Sequence, residues 1–416
     1  MNQRRRVLAI SAFLLMLTSA FIDNLRGSLI PLIHEQLNLG YALVGGMMLS
    51  VAGLAGAFFN TRLLTVERRA GVRGLILFAV GLTMVAMVLA TQVNGIISLG
   101  LMAIPLGGAI ASMGTISNLL LVMSSDTGKS LASDASLDAR SAHRAKMMAG
   151  LHLMFGVGSL LAPAVAAFAI NRHWPWPWII AIPLPLLAAP LFWTIRMDSA
   201  HSSHMPKSGS DNISGLPPAP KAESMWHNIS RAEWFIVAIF LAYVTGEVLT
   251  SMWMPSFLMA HFGLTYENAN QTSAGFFAVF SMARLAVVIL VREKFHKPFI
   301  YVPLIIAAVS MIGASLFSQP GEANGALIFL FPAAGIIGPF FPMMLARVSV
   351  IYNHSWQRLT VVILTTMQLA LALSHLVLGA VFDQLGAQRA YLIPPLLLIF
   401  AGVGAWKFLK NDSELR

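Results

Sequence analysis

Twelve long apolar stretches separated by short polar connections run from Val7 to Phe408, and they decide what this chain can fold into. A hydrocarbon core about 30 Å thick takes roughly 20 helical residues to cross. The stretches fall at 7–33, 40–64, 73–92, 96–123, 147–170, 176–195, 233–259, 271–292, 298–317, 325–350, 360–382 and 390–408. In lipid every backbone group must be satisfied internally, and these runs are continuous rather than alternating, which selects helices over a closed barrel. With 57% hydrophobic and 11% charged residues, a water-soluble fold would lack the polar surface to cover itself. The expectation is an all-α membrane protein of twelve transmembrane helices. There is no cysteine, so disulfides and thiolate metal sites are excluded.

The net charge of +10 is spread one to four residues at a time between apolar runs, a pattern that orients helices in a bilayer and does not point to nucleic acid. With the N-terminus inside, Arg4, Arg5, Arg6, Arg62, Arg68, Arg69, Arg73, Lys129, Arg140, Arg144 and Lys146 fall in cytoplasmic segments, and so do the basic residues from Arg196 to Arg231 and from Arg292 to Lys297. Only Arg172 and Arg389 fall in outward loops. Both termini are therefore expected in the cytoplasm, with the chain in a bacterial inner membrane. Arg4 to Arg6 also resemble the start of a secretory signal, but the apolar run passes Leu29 and eleven more follow, so it reads as a retained first helix.

Residues 197–230 are rich in Ser, Pro, Asn, His and Lys and read as a linker. The expected organisation is a six-helix bundle over 1–195, a cytoplasmic linker over 196–232 and a second six-helix bundle over 233–416. The loop at 124–146 is polar and is expected to carry a short helix around 135–145. The two halves repeat weakly: Asp23 precedes Pro31 by eight positions and Glu247 precedes Pro255 by eight, while Pro105 and Pro332 fall at similar offsets. Such symmetry points to a secondary transporter with its site between the halves, near mid-membrane.

Four segments carry a family resemblance: DNLRGSLIPLIHEQLNLGYALVGGMMLS, AGLHLMFGVGSLLAP, YVTGEVLTSMWMPSFL and GIIGPFFPMMLARVS. With the twelve-span layout they resemble the major facilitator superfamily, and locally its fucose-permease-related branch of sugar symporters. The resemblance implies two pseudo-symmetric six-helix bundles and alternating access. The superfamily's loop between spans two and three usually reads like G-x-x-x-D-R-x-G-R. Here NTRLLTVERRAGVRG keeps Glu67, Arg68, Gly71 and Arg73 at altered spacing, and Glu67, Arg68 and Arg73 are expected to gate. Symporters like fucose permease carry acids near the positions of Gly27 and Gly114, and both are glycine here. Fucose–proton coupling therefore does not transfer.

An ionisable group at mid-bilayer costs about 2.5–3.5 kcal/mol on the lenient insertion scale, so each should face protein or a wet cavity. Counting 1.5 Å per residue puts Asp23, Arg26, Glu247 and His375 roughly 25–30 Å from the cytoplasmic face, able to share one outward cavity. His152 and Arg284 come out within roughly 9–12 Å of that face, with Tyr243 and Gln368 near the middle. Asp23 and Arg26, three apart, read either as a structural ion pair or as a substrate site, Arg26 offering its planar fork to a carboxylate. Glu247, with no basic residue three or four positions away, is the leading proton-coupling candidate, with Asp23 second. Its structural alternative is an interhelical hydrogen bond. Asn24, Asn118, His152, Tyr243, Trp253, Gln368 and His375 complete the expected substrate contacts, with Asn268 and Gln271 as further amides. Arg284 is expected to anchor the inner gate or to snorkel. Trp174, Trp176 and Trp178 read as interfacial anchors.

No phosphate-binding loop, HExxH or nucleophile with a base at recognisable spacing is present, so no enzymatic activity and no cofactor are expected. The expected function is secondary active transport of a small polar or anionic solute, sugar-like in one version, coupled to protons in a monomer. An exporter of amphipathic compounds is the alternative, and a non-transporting membrane sensor a third reading.

Overall fold

The computed structural model describes residues 3–125, 137–196, 229–290, 297–352 and 356–411. The described residues are almost entirely helical and contain no strand. The expected linker core, 197–228, lies outside the described residues.

The first span is α1 (Gln3–Leu37), which tolerates Pro31 near its end and stops where Asn38 turns to φ 50°. The second and third spans form one run: α2 (Tyr41–Gly45), a π-helical segment (Gly46–Val51) and α3 (Ala52–Ala90). Gly71, at φ 61° and ψ −165°, breaks that run, a conformation that glycine adopts without steric penalty. Next come α4 (Ile96–Ser125) and α5 (Leu137–Asn171). The short helix expected around 135–145 is thus the opening of α5, continuous with the fifth span. Span six divides into α6 (Trp176–Ala181) and α7 (Leu184–Arg196), interrupted around Pro183.

The seventh span, α8 (Arg231–Phe262), opens on a capping box between Ser230 and Glu233 and closes on Gly263 in the left-handed region. Then follow α9 (Tyr266–Leu290) and α10 (Pro298–Phe317). The tenth span is broken: α11 (Gly325–Ala333) runs into a 3-10 turn (Ala334–Ile337) before α12 (Phe340–Ile351). The chain ends in α13 (Trp356–Leu385), the single turn α14 (Ala387–Ala390) and α15 (Ile393–Asn411).

Ten described helical segments are long and apolar enough to cross a membrane, and the shorter apolar segment Trp176–Phe192 and the 25-residue α9 bring the total to the twelve expected. Large apolar side chains cover the outward surface too: Ile97 is 78% exposed and Phe317 80%. Helices apolar all round require lipid as solvent. The tryptophan motif is corrected in one position, because Trp174 and Trp178 are exposed whereas Trp176 is 3% exposed. Residues 176 and 178 lie about 200° apart around a helix, so the two cannot both face lipid.

By contacts the chain divides into two units. One comprises Met1–Leu25, Val51–Ala162 and His173–Gly215, the other Arg26–Ser50, Pro163–Arg172 and Leu216–Arg416. The ends of α1 and α5 remote from the face where α1 begins, together with α2, thus group with α8–α15, and that remote side is the far face. Within the second unit, a Cβ on Gly27 would lie 2.6 Å from the Met252 carbonyl, and one on Gly379 2.7 Å from Ala42 Cα. Only glycine permits these approaches of backbone to backbone.

Candidate functional site

Tyr243 and Glu247 are one turn apart on α8 and therefore share a face. The Tyr243 hydroxyl lies beside the Glu247 carboxyl, close enough to interact with it, and Arg284 of α9 acts electrostatically on both. The same hydroxyl donates to the Ile337 carbonyl at 3.2 Å, and its ring stacks on Phe340 at 4.3 Å. Arg284 Nε donates to the Gly338 carbonyl at 2.9 Å, with its guanidinium 4.1 Å from the Phe280 ring centre. Tyr243 is fully buried, whereas Glu247 and Arg284 keep partial exposure. A carboxyl, a phenol and a guanidinium therefore meet at the break in the tenth span.

Residue counting separates Glu247 and Arg284 by more than two helix turns in depth, roughly 13 Å or more. The structure joins them because α8 begins at Arg231, so the count to Glu247 starts from a helix end and not from the membrane surface, and because an arginine stem is long. Close packing holds α9 against the break. A Cβ on Gly335 would lie 2.3 Å from the Phe276 carbonyl, and one on Gly338 2.5 Å from that of Phe280.

Arg26, Trp253 and His375, all expected as substrate contacts, form a second buried group. Arg26 Nη1 donates to the Met48 carbonyl, in the π-helical segment, at 2.9 Å. Trp253 Nε1 donates to His375 Nδ1 at 3.1 Å, which leaves the imidazole proton on Nε2. Arg26 is close enough to His375 to act on it electrostatically. Asp23 is half-buried and falls in the first unit, whereas Arg26, Glu247 and His375 fall in the second.

In the first unit, Asn24 Nδ2 donates to Ser159 Oγ at 2.8 Å and to the Ala20 carbonyl at 3.0 Å. Asn118 Nδ2 donates to the Gly114 carbonyl of its own helix at 2.9 Å. His152 and Gln368 are exposed. Glu67 is half-buried and Arg73 exposed, while the Arg68 side chain lies outside the described ones. Asn268 and Gln271 line a shallow far-face groove of about 360 Å³ with Leu264, Thr272 and Ile328.

Several far-face contacts in the second unit escaped the sequence reading. Asp383 at the end of α13 accepts from the backbone N–H groups of Tyr41 and Ala42, each at 2.8 Å. Asn171, ending α5, donates to Glu267, which also accepts from Gln271 at 3.0 Å. One signal was available. α2 begins after Gly40 with no side-chain cap, and Asp383 is the one acid between residues 356 and 411.

The family model described as Major Facilitator Superfamily matches residues 138–357, just over half of the chain. The chain belongs to the major facilitator superfamily. Solved structures agree on the fold of this superfamily transporter. A bacterial homolog of the human lysosomal transporter Spinster, inward-facing and unoccupied, aligns at TM-score 0.68 and 15% identity over 99% of each chain. A D-xylose–proton symporter aligns at 0.68 and 15% over 97% of each, and the nucleoside transporter NupG at 0.67 and 14% over 99% of each. At these identities the likeness establishes the fold alone. Among curated proteins, none matches the sequence. In this superfamily member the position of the fucose-branch acid in the first span, Gly27, abuts Met252 backbone, leaving no room for a carboxylate side chain. That contact gives the glycine a physical reason.

Proposed function

We propose that this superfamily member is a proton-coupled symporter of a small polar or anionic solute, working in a bacterial inner membrane with both termini in the cytoplasm. Residues 1–195 and 233–416 are its two moving bundles and 196–232 the connection between them. The observation that carries the reading is the Glu247 carboxyl inside α8, beside Tyr243 and facing Arg284. A carboxyl with these two partners can be loaded with a proton and emptied again, the chemistry that coupling requires. Orientation rests on the basic residues, which cluster at one end of the spans. By that orientation the far face is extracytoplasmic, and the contacts of Asp383 with α2 and of Asn171 with Glu267 act as its closure. The local likeness to fucose-permease-type segments favours a sugar-like solute.

Transport needs substrate and proton together to favour the occluded state over either open one. The test is uptake into proteoliposomes with an imposed inward proton gradient, using solutes chosen by thermal stabilisation of the purified protein at two pH values. Glu247→Gln should abolish gradient-driven accumulation and leave solute exchange. Undiminished accumulation in this variant would remove Glu247 from the coupling role.

A further inference from the structure

The break in the tenth span sets up two adjacent carbonyls, Ile337 and Gly338, that look outside their own helix for donors. Gly338 would ordinarily be served four residues on, but that residue is Pro342, which has no N–H. Arg284 Nε fills the gap at 2.9 Å, and the Tyr243 hydroxyl serves Ile337 at 3.2 Å. Irregular backbone at membrane depth persists only where protein satisfies it in this way.

Both donors are also the partners of Glu247. A phenol has a single hydrogen to donate. While Tyr243 donates it to Ile337, its contact with Glu247 is a hydrogen bond only if the carboxyl carries a proton and donates to the phenol oxygen. An ionised Glu247 instead accepts the phenol's hydrogen bond and attracts the guanidinium.

We propose that Tyr243 and Arg284 are positioning residues that convey the protonation state of Glu247 to the break at Ala334–Ile337. With Glu247 protonated, Tyr243 holds Ile337, Arg284 holds Gly338, and α11 and α12 are fixed relative to each other. When the proton leaves to water, the carboxylate accepts the Tyr243 hydroxyl's hydrogen bond in place of Ile337, Ile337 loses its donor, and the segment is released to bend. The proposal rests on the coupling reading of Glu247. Among the described residues, the groups acting on Glu247 are Tyr243 of its own helix and Arg284 of α9. His375 of α13 is engaged by Trp253, and Tyr391 beyond α14 donates to the Thr250 carbonyl at 2.9 Å.

The chain has no cysteine, so Ile336→Cys gives a unique nitroxide site inside the turn. Labelled full-length protein in lipid nanodiscs is followed by electron paramagnetic resonance from about pH 5 to about pH 9, the range in which a carboxyl in an apolar site titrates. Label mobility should step upward with pH. Glu247→Gln, whose amide can donate to the phenol as the acid does, should hold it at the low-pH value. Tyr243→Phe, which keeps the ring on Phe340, should also lose the step. If Tyr243→Phe keeps the step that Glu247→Gln has lost, the relay is overturned and the coupling reading survives. If Glu247→Gln keeps it, both fall. Infrared difference spectra of the unaltered protein test the relay without a variant at 243: a tyrosine C–O band should shift as the Glu247 carboxyl signal disappears, and no such shift overturns the relay.

Discussion

Asp383→Asn should loosen the far face by a calculable amount. The carboxylate accepts from two successive N–H groups at the start of α2, Tyr41 and Ala42, each at 2.8 Å, and α2 has no cap of its own. Asn is the same shape but keeps one acceptor, loses the charge, and presents an amide N–H to the other donor. A lost cap of this kind costs about 1 kcal/mol, and the charge at an exposed helix N-terminus adds about 0.3–1 kcal/mol. Asp383 is exposed, so the lower part of that range applies and the total is about 1–1.5 kcal/mol. If these bonds exist only when the far face is closed, the closed-to-open ratio falls about 5- to 12-fold, since 1.4 kcal/mol is tenfold. Leu43 and Leu385, 44% and 53% exposed, lie near the two sides of the contact and accept nitroxides with little disturbance. Double electron–electron resonance between labels at Leu43→Cys and Leu385→Cys should show a short distance in the parent and a growing long-distance population in Asp383→Asn. Identical distributions would refute the latch.

Gly335→Ala places a methyl against the Phe276 carbonyl at 2.3 Å and the Phe280 nitrogen at 2.8 Å, backbone that cannot step aside. It should destabilise by about 1–3 kcal/mol as an overpacked contact, whereas Gly53→Ala, with nothing within 4 Å, should be neutral or slightly stabilising; thermal unfolding in detergent compares them. Trp253→Phe removes the donor to His375 Nδ1 and should cost about 1–3 kcal/mol for the buried acceptor left alone, besides the volume lost. Combining it with His375→Leu should cost less than the sum of the two single changes, and strict additivity in that cycle would rule out the pair as an energetic unit.

The spans were legible because lipid imposes one rule on every residue of a crossing helix, and the continuous runs from Val7 to Phe408 record it. Breaks were legible only in part. Residues 325–350 read as one run in sequence, although Pro332 and Pro339 flank the interruption found there, and the π-helical stretch Gly46–Val51 carries no proline to announce it. The clusters were the least legible. Glu247 and Arg284 are 37 positions apart and were assigned different depths, because a count along one helix knows nothing of where its neighbour begins. Tyr243 and Glu247, at i and i+4, were within reach of sequence reasoning. That Ile337 competes for the same phenol was not, since the need arises from a carbonyl on another span.

Arg26 and Arg284 now invite the same interpretation. Each is an intramembrane arginine, and each donates to a carbonyl at a helix irregularity: Arg26 to Met48 in the π-helical segment, Arg284 to Gly338 beside the 3-10 turn. A guanidinium engaged with backbone is held at fixed geometry, and removing it strands the carbonyl in a region where water is scarce. This changes what Arg26→Gln should do. If Arg26 served mainly as a ligand for an anionic solute, the variant would lose solute binding and unfold at the parent temperature. As a donor to Met48 it should lower thermal stability with no solute present, by about 1–3 kcal/mol for a buried hydrogen bond to a charged donor. Arg26→Lys should recover only part of that loss, because a point ammonium on a shorter reach cannot reproduce the planar fork. Full stability in solute-free Arg26→Gln, with binding of anionic solutes alone impaired, would return Arg26 to the role of a substrate ligand.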